Sequence, residues 1–300
     1  MTTTTSIDAG AAERFIYDDA RLLERHRLAV LFRGAPGSRV LEALRPYRNG
    51  DGGWGHALEP DLRGPDSQVS GALSALEVLA ELGTGADPAV RRLATETADW
   101  LASVTLPDGR VPQVLPTAAD YPAAPWMQPN DTGFLTFATA ARLWELGLRH
   151  PWLDAATAWC WGQLEGAAPL DGYTVLFALG FLDAVPEPDR VADAVERLRP
   201  ALCDDGTIAV AGGIEDEQLT PLQLSARPGA PSRALFSEAQ ISADLDRLEG
   251  QQLEDGGWDF DFEHWSPGQT VEWRGIVTLD ALRTLRLHGR LAGLPGELAV

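Results

Sequence analysis

The sequence predicts an all-helical protein made of repeated helical units, because one local pattern occurs near both ends of the chain. In the first copy, a glycine turn at Asp51-Gly52-Gly53-Trp54 precedes a polar connector and an apolar helix that ends at Gly83. The second copy covers residues 251–258 and continues through a connector into a helix over residues 270–287. A turn, an aromatic residue, a connector and an apolar helix in fixed order are typical of helical repeat proteins.

Strongly apolar helices alternate with amphipathic ones along the chain, which is the second observation. An apolar helix is covered by protein on most sides, whereas an amphipathic helix turns one polar face to water. Ahead of the first turn we predict a helix over residues 11–32 and a short helix capped by Ser38. The later apolar helices are predicted over residues 66–83, 134–146 and 173–182, and the amphipathic ones over residues 89–104, 152–164 and 188–202.

Weaker copies of the glycine turn separate some of these helices. They contain Pro107-Asp108-Gly109 and Asp204-Asp205-Gly206. Residues 212–231 are polar and rich in proline, and we expect them to form an irregular lid or cap. A last helix, over residues 232–252, leads into the second strong turn.

The alternation is compatible with an α/α toroid, in which an inner ring of apolar helices is surrounded by an outer ring of amphipathic ones. An open α-solenoid is the alternative, and we favour closure because matching units occur at both ends. Residues 11–300 would then form a single toroid domain. Residues 1–10 are rich in threonine and lack the apolar core of a signal peptide, so we expect a disordered tail.

Composition excludes several classes of function. The formal net charge of −20 argues against binding to nucleic acid or anionic membranes, which requires a positive surface. The sequence contains no lysine, which excludes lysine Schiff bases and a P-loop lysine. Cys160 and Cys203 are the only cysteines, and no apolar run approaches the roughly 20 residues of a membrane span. We therefore expect a cytoplasmic protein and make no prediction of its oligomeric state.

The repeated turn resembles a known motif. Residues 251–258 match Q-x-x-x-D-G-G-W, the QW repeat of squalene and oxidosqualene cyclases, class II diterpene cyclases and protein prenyltransferase β subunits. The first copy matches only the D-G-G-W half, because Tyr47-Arg48 stands where the glutamine would be. The resemblance to the terpene cyclase and prenyltransferase superfamily implies an α/α toroid, but this superfamily carries out several reactions on one scaffold.

The resemblance also implies where an acid would lie. Class II cyclases protonate an alkene with the middle aspartate of an Asp-x-Asp-Asp-Thr-Ala motif at the start of an inner helix. Residues 128–133 keep the Pro-x-Asp-Thr frame but have glutamine and asparagine where the family has its first and middle aspartates. We therefore predict Asp131 as the first candidate acid and Asp66, in the first repeat, as the second. Capping of a helix N-terminus is the structural alternative for each.

Other side chains are predicted to meet at the same mouth of the toroid. Besides Asp66 and Asp131, the acids Asp171, Glu238 and Glu272 are predicted near the starts of inner helices. His56, Glu59 and Asp61 form a polar cluster after the first turn, and His264 lies in its counterpart after the second; we expect both clusters to be solvated. Aromatic faces stabilise carbocations, and the aromatics that could line a substrate cavity are Trp54, Trp126, Phe134, Phe137, Trp258, Trp265 and Trp273. Core packing and repeat stacking are the favoured explanation for most of them. His56, His264 and Glu272 are predicted to bind substrate as well.

The leading functional hypothesis is a terpene-cyclase-like enzyme that acts on an apolar isoprenoid by acid-initiated cyclisation. We predict no metal site. Cys160 lies in a Trp-Cys-x-Gly sequence like that of lanthionine cyclases, but the partner Cys-His pair is missing, and Cys203 lacks the Asp-x-Cys pattern of the prenyltransferases. The cofactor is undefined, although a diphosphate substrate would bring Mg²⁺. The alternatives are a non-catalytic toroid that binds an apolar ligand or partner, and an enzyme that uses paired carboxylates on sugars.

Overall fold

A computed structural model describes residues 7–85, 87–166 and 169–292. In these residues helices dominate, and the only strands are two antiparallel strands of two residues each. The all-α class predicted from the sequence is therefore confirmed. The elements are α1 (Ala9–Asp19), α2 (Leu22–Arg33), α3 (Ser38–Leu44), α4 (Val69–Leu82), α5 (Pro88–Val104), α6 (Leu135–Glu145), α7 (Pro151–Glu165), α8 (Gly172–Leu182), α9 (Pro188–Leu198), β1 (Ile208–Ala209), β2 (Gln218–Leu219), α10 (Pro221–Leu224), α11 (Glu238–Gly250) and α12 (Pro267–Leu287).

The chain divides into two compact units. The central unit is Leu44–Ala201, and the terminal unit contains the chain up to Ala43 and from Leu202 onward. In the central unit, α4, α6 and α8 pack side by side, and each also packs against the helix that follows it, α5, α7 and α9 respectively. The helices predicted to be apolar thus lie together, and the amphipathic helices cover them.

The spacing of the buried residues in α9 explains why only one face of this helix packs against α8. Its buried residues Val191, Ala194, Val195 and Leu198 recur at the three- and four-residue spacing of one helix face. In α8, by contrast, every residue after the first turn is apolar or glycine. The core of the central unit therefore follows directly from the distribution of apolar residues along the two kinds of helix.

In the terminal unit, α12 packs against α1, α2 and α11. The prediction of one continuous helix over residues 11–32 is wrong, because Ala20 is extended and separates α1 from α2. Arg21 then forms a bidentate ion pair with the fully buried Glu24, which stabilises the start of α2. Asp8 caps α1, so this helix begins two residues earlier than predicted. Residues 1–6 of the predicted tail lie outside the described residues.

Residues 212–231 are more structured than predicted. They contain β2 and α10, and Thr220 and Gln223 form a capping box at the start of α10. The backbone N–H of Leu222 donates to the carboxylate of Asp244 on α11 at 2.7 Å. The proline-rich sequence is therefore ordered by contacts with a later helix of the same unit, which its composition does not reveal.

Four turns share one hydrogen-bond pattern, in which the first residue donates to the C=O four residues later. These bonds join Asn49 to Gly53, Leu106 to Arg110, Cys203 to Thr207 and Leu253 to Gly257, at 2.8–2.9 Å. In each turn the third residue is an aspartate that accepts from the fifth backbone N–H. The fourth is a glycine with φ between 88 and 97°, a conformation that other residues rarely adopt. The weaker turns therefore form like the strong ones.

Among the described residues, no helix combines the length and the apolar character that crossing a bilayer requires.

Candidate functional site

The connector of the central unit, residues 55–68, is fixed by a hydrogen-bond network around Asn49. The side-chain amide of Asn49 donates to the C=O of Pro65 at 2.8 Å and to the hydroxyl of Ser67 at 3.0 Å. Its side-chain oxygen lies 3.0 Å from Nε2 of His56. The hydroxyl of Ser67 also donates to Asp51 of the glycine turn, at 2.8 Å. The turn therefore positions both ends of the connector, and the side chain of His56 is exposed to solvent.

The backbone of this connector is strained at two consecutive residues. His56 has φ 56° and Ala57 has φ 58°, although neither is glycine. Each such residue costs free energy of about 1–3 kcal/mol, and strain of this kind clusters at functional sites. The N–H of His56 donates to the C=O of Gly64 at 2.9 Å, which holds the strained segment in place.

Two acids of the connector are buried. Glu59 is 8% exposed and Asp61 is 3% exposed, so the prediction that they lie in a solvated cluster is wrong. The backbone N–H of Asp61 donates to the carboxylate of Glu59 at 3.1 Å. The C=O of Asp61 accepts from the N–H of Ala124 at 2.8 Å. This hydrogen bond joins the pair to a segment more than 60 positions away, and the only local signal of burial is the position of the pair between Leu58 and Leu62.

The two acids predicted first, Asp66 and Asp131, are both exposed. Neither side chain forms a hydrogen bond or ion pair with any residue in the described part of the chain. Neither caps a helix: Gln68 and Phe134 occupy the N-cap positions of α4 and α6, and no side chain caps either helix. The backbone C=O of Asp131 accepts from Nε of Arg110 at 2.8 Å. The structural alternative of helix capping therefore fails for both.

The other predicted helix-start acids differ from one another. Asp171 caps α8, because its carboxylate accepts from the N–H of Thr174 at 3.0 Å and from the Thr174 hydroxyl at 2.7 Å. Glu238 is the first residue of α11. Glu272 lies in the second turn of α12, which begins at Pro267, so its prediction as a helix-start residue is wrong.

The repeat tryptophans belong to the core. Trp54 is fully buried, and its indole N–H donates to the hydroxyl of Thr97 on α5 at 2.9 Å. Trp258 is 2% exposed, and its indole N–H donates to the C=O of Leu248 at 2.7 Å. Both side chains therefore attach a glycine turn to a neighbouring helix, which is the repeat-stacking role.

Other predicted aromatics remain accessible in the central unit. Trp126 is 37% exposed. Phe134, at the start of α6, is half-buried and stacks on Phe177 of α8, with ring centroids 5.5 Å apart and planes 4° apart. Phe137 is fully buried and contacts Phe181 and Trp159, so it belongs to the core.

In the terminal unit, an aromatic cluster follows the second strong turn. The ring of His264 stacks on Phe260 with centroids 4.1 Å apart, and its Nε2 lies 3.6 Å from Asp259. Phe262 contacts the edge of Trp273, with centroids 5.4 Å apart. Trp265, next to His264 in the chain, is half-buried. Phe260, Phe262, His264 and Trp273 thus form one cluster of contacting rings.

The cysteines do not contribute a metal site in the described part of the chain, where no three or more His, Cys, Asp or Glu side chains converge. Cys160 is buried, and burial raises the pKa of its thiol well above the ordinary value. A thiol of this kind is an unreactive core residue. Cys203 is exposed, at the first position of the third glycine turn.

Fold and site together define a mostly helical protein of paired helices, in which the connector ahead of one core helix contains two buried acids. No protein-family model matches this chain, and comparison with curated proteins finds no match.

Proposed function

We propose that the protein is a terpene-cyclase-like enzyme, which uses a carboxyl group of the connector to start cyclisation of an apolar isoprenoid. The α/α toroid expected from the alternating helices is part of this proposal. The observation that carries it is the burial of Glu59 and Asp61 next to two strained residues, His56 and Ala57. The connector leads into the core helix α4, and the resembled families have their acid at the start of such a helix.

The choice of acid follows from what the reaction requires. A carboxyl that protonates an alkene must be kept away from water, because water would stabilise its anion and accept its proton. Glu59 and Asp61 meet this condition by their burial, whereas Asp66 and Asp131 are exposed. We therefore assign proton donation to Glu59 or Asp61. Asp66 and Asp131 are given no part in the proton transfer.

Accessible aromatic rings of the central unit support an apolar ligand. Trp126 is 37% exposed, and the stacked pair Phe134 and Phe177 is half-buried. Aromatic faces attract cations through the ring quadrupole, by about 0.5–2 kcal/mol per contact. A carbocation formed at the connector would be stabilised in this way without a nucleophile that could end the reaction early.

Product formation by the full chain tests the proposal. Wild-type protein is incubated with squalene and with prenyl diphosphates, with and without Mg²⁺, and products are analysed by mass spectrometry. We expect Glu59→Gln or Asp61→Asn to lower turnover by orders of magnitude, because an amide is too weak an acid to protonate an alkene. Asp66→Asn and Asp131→Asn are matched controls at exposed acids and should keep most of the turnover. Circular dichroism and melting temperature establish that each variant is folded.

Two outcomes contradict the assignment in different ways. Full turnover in both Glu59→Gln and Asp61→Asn would exclude the buried acids. Loss of turnover only in Asp131→Asn or Asp66→Asn would return the role to the acids predicted from the sequence.

A non-catalytic toroid that binds an apolar ligand is the second candidate. It is favoured by the exposure of Asp66 and Asp131, which leaves the cyclase-like segment around Asp131 without a shielded acid. In that case ligand binding should quench the fluorescence of Trp126, no product should form, and Trp126→Phe should remove the quenching. Product formation by wild-type protein would exclude this candidate.

A further inference from the structure

A cleft of the central unit lies at the C-terminal ends of two core helices, α6 and α8. Its volume is about 210 Å³. The residues that line it are Trp144, Gly147, Leu148, Arg149, Ala184 and Pro186. None of them belongs to the connector that contains Glu59 and Asp61, so this cleft is separate from the site of the proposed proton transfer.

The size of the cleft limits its ligand to a single ring. An apolar cavity of about 150 Å³ takes up benzene, whereas pockets for drug-sized molecules begin at about 300 Å³. The volume of about 210 Å³ lies between these two values. It therefore matches one six-membered ring that carries one small substituent.

Most of the lining offers apolar surface. Trp144 is half-buried, and its indole N–H donates to the hydroxyl of Thr157 at 3.0 Å. The backbone N–H groups of Gly147, Leu148 and Ala184 donate to carbonyl groups of α6 or α8, at 2.9–3.0 Å. The donors of these four lining residues are thus already bonded within the protein. What the indole of Trp144 can offer a ligand is its ring, on which another aromatic ring can stack.

Arg149 supplies the charge, because it is the one charged residue among those that line the cleft. Its side chain is exposed and forms no hydrogen bond or ion pair with any residue that the structure describes. Glu145, the acid next to Trp144 in the chain, is held by Arg142 at 2.9 Å. A guanidinium group binds both oxygens of a carboxylate through two parallel hydrogen bonds. The lining is therefore complementary to an anion of this shape.

We propose that this cleft binds a small aromatic carboxylate, with the ring against the apolar wall at Trp144 and the carboxylate on Arg149. A single negative charge is specified by the formal net charge of −20, since such a surface repels anions of higher charge more strongly. The proposal is independent of the cyclase activity, because it rests on the size, lining and charge of the cleft and its test measures no product.

Benzoate is the probe, and the full chain is titrated with it while the backbone amides are followed by two-dimensional NMR. The amide signals of Gly147 and Leu148 report binding at the cleft itself. We expect saturable shifts with a Kd of about 1–10 mM in buffer of low ionic strength, the affinity available to a ligand of about nine non-hydrogen atoms. Shifts that are absent or do not saturate at these two amides overturn the proposal.

A charge variant and a second probe test the two halves of the site. Arg149→Gln removes the guanidinium group and should weaken benzoate binding at least about tenfold. Arg92→Gln is the matched control, because it changes the net charge equally at an exposed arginine of the same unit that does not line the cleft; its Kd should equal that of wild type. Acetate keeps the carboxylate without the ring and should bind at least about tenfold more weakly than benzoate.

Either of two results refutes the site. Equal affinity of wild type and Arg149→Gln for benzoate would show that Arg149 does not hold the carboxylate. Equal affinity of wild type for acetate and benzoate would show that the cleft does not hold the ring. Melting temperatures of the two arginine variants establish that both are folded.

Discussion

Trp54 is expected to contribute more to stability than the accessible tryptophan of the same unit. Its side chain is fully buried, and a buried tryptophan removes about 150–250 Å² from water. At about 25 cal/mol per Å² this corresponds to roughly 4–6 kcal/mol, of which the alanine methyl retains a small part. The indole N–H is also bonded to Thr97 at 2.9 Å. We therefore expect Trp54→Ala to lower the free energy of unfolding by about 3–5 kcal/mol.

The assay is urea unfolding followed by far-ultraviolet circular dichroism, which reports the loss of helix. Trp126→Ala is the matched control, because this side chain is 37% exposed, and we expect it to lower the free energy of unfolding by less than Trp54→Ala does.

A second pair of variants separates packing from the hydrogen bond. Trp54→Phe keeps most of the apolar surface but loses the donor, so the free energy of unfolding should fall by about 1–3 kcal/mol. Thr97→Val removes the acceptor and leaves the indole N–H unsatisfied, with a similar loss. Equal midpoints for wild type and Trp54→Ala would refute the burial argument. Equal midpoints for wild type and Thr97→Val would refute the hydrogen bond.

Three further predictions concern single sites. Gly53→Ala should destabilise the protein by about 1–3 kcal/mol or more in urea unfolding, because a Cβ there would lie 2.5 Å from the Trp100 ring. Gly50→Ala, with open space around it, should stay within about 0.5 kcal/mol of wild type. Asp171→Ala should lower stability by about 1 kcal/mol through loss of the α8 cap, whereas Asp171→Asn should not; thermal melts compare them. Burial, followed by the charge of Arg233, lowers the pKa of His288 below its ordinary 6.5. The folded state therefore binds the proton of His288 less tightly than the unfolded state does. The contribution of this histidine to stability is present above pH 6.5 and is lost as the pH falls through the pKa of the folded state. The urea midpoint should fall less between pH 7.5 and pH 5 in His288→Asn than in wild type. An equal fall in both proteins would show that His288 does not cause it.

The glycine turns could be predicted because their chemistry is local. An aspartate followed by glycine supplies both the side-chain acceptor and the positive φ that the turn requires, as in Asp51-Gly52 and Asp108-Gly109. The order of apolar and amphipathic helices could also be predicted, because the periodicity of apolar residues determines which face of a helix is buried. Local rules did not locate the break at Ala20, since the apolar pattern of α1 continues into α2.

The candidate site depended on contacts between distant segments. Asp66 and Asp131 resembled functional acids by sequence context, yet both are exposed. Glu59 and Asp61 resembled a solvated cluster, yet both are buried, and the N–H of Ala124 donates to the C=O of Asp61. The turns and helices of this protein are thus determined by residues within a few positions of one another. The burial of each carboxyl is decided only when segments more than 60 residues apart pack together, because exclusion of water is a property of the packed structure.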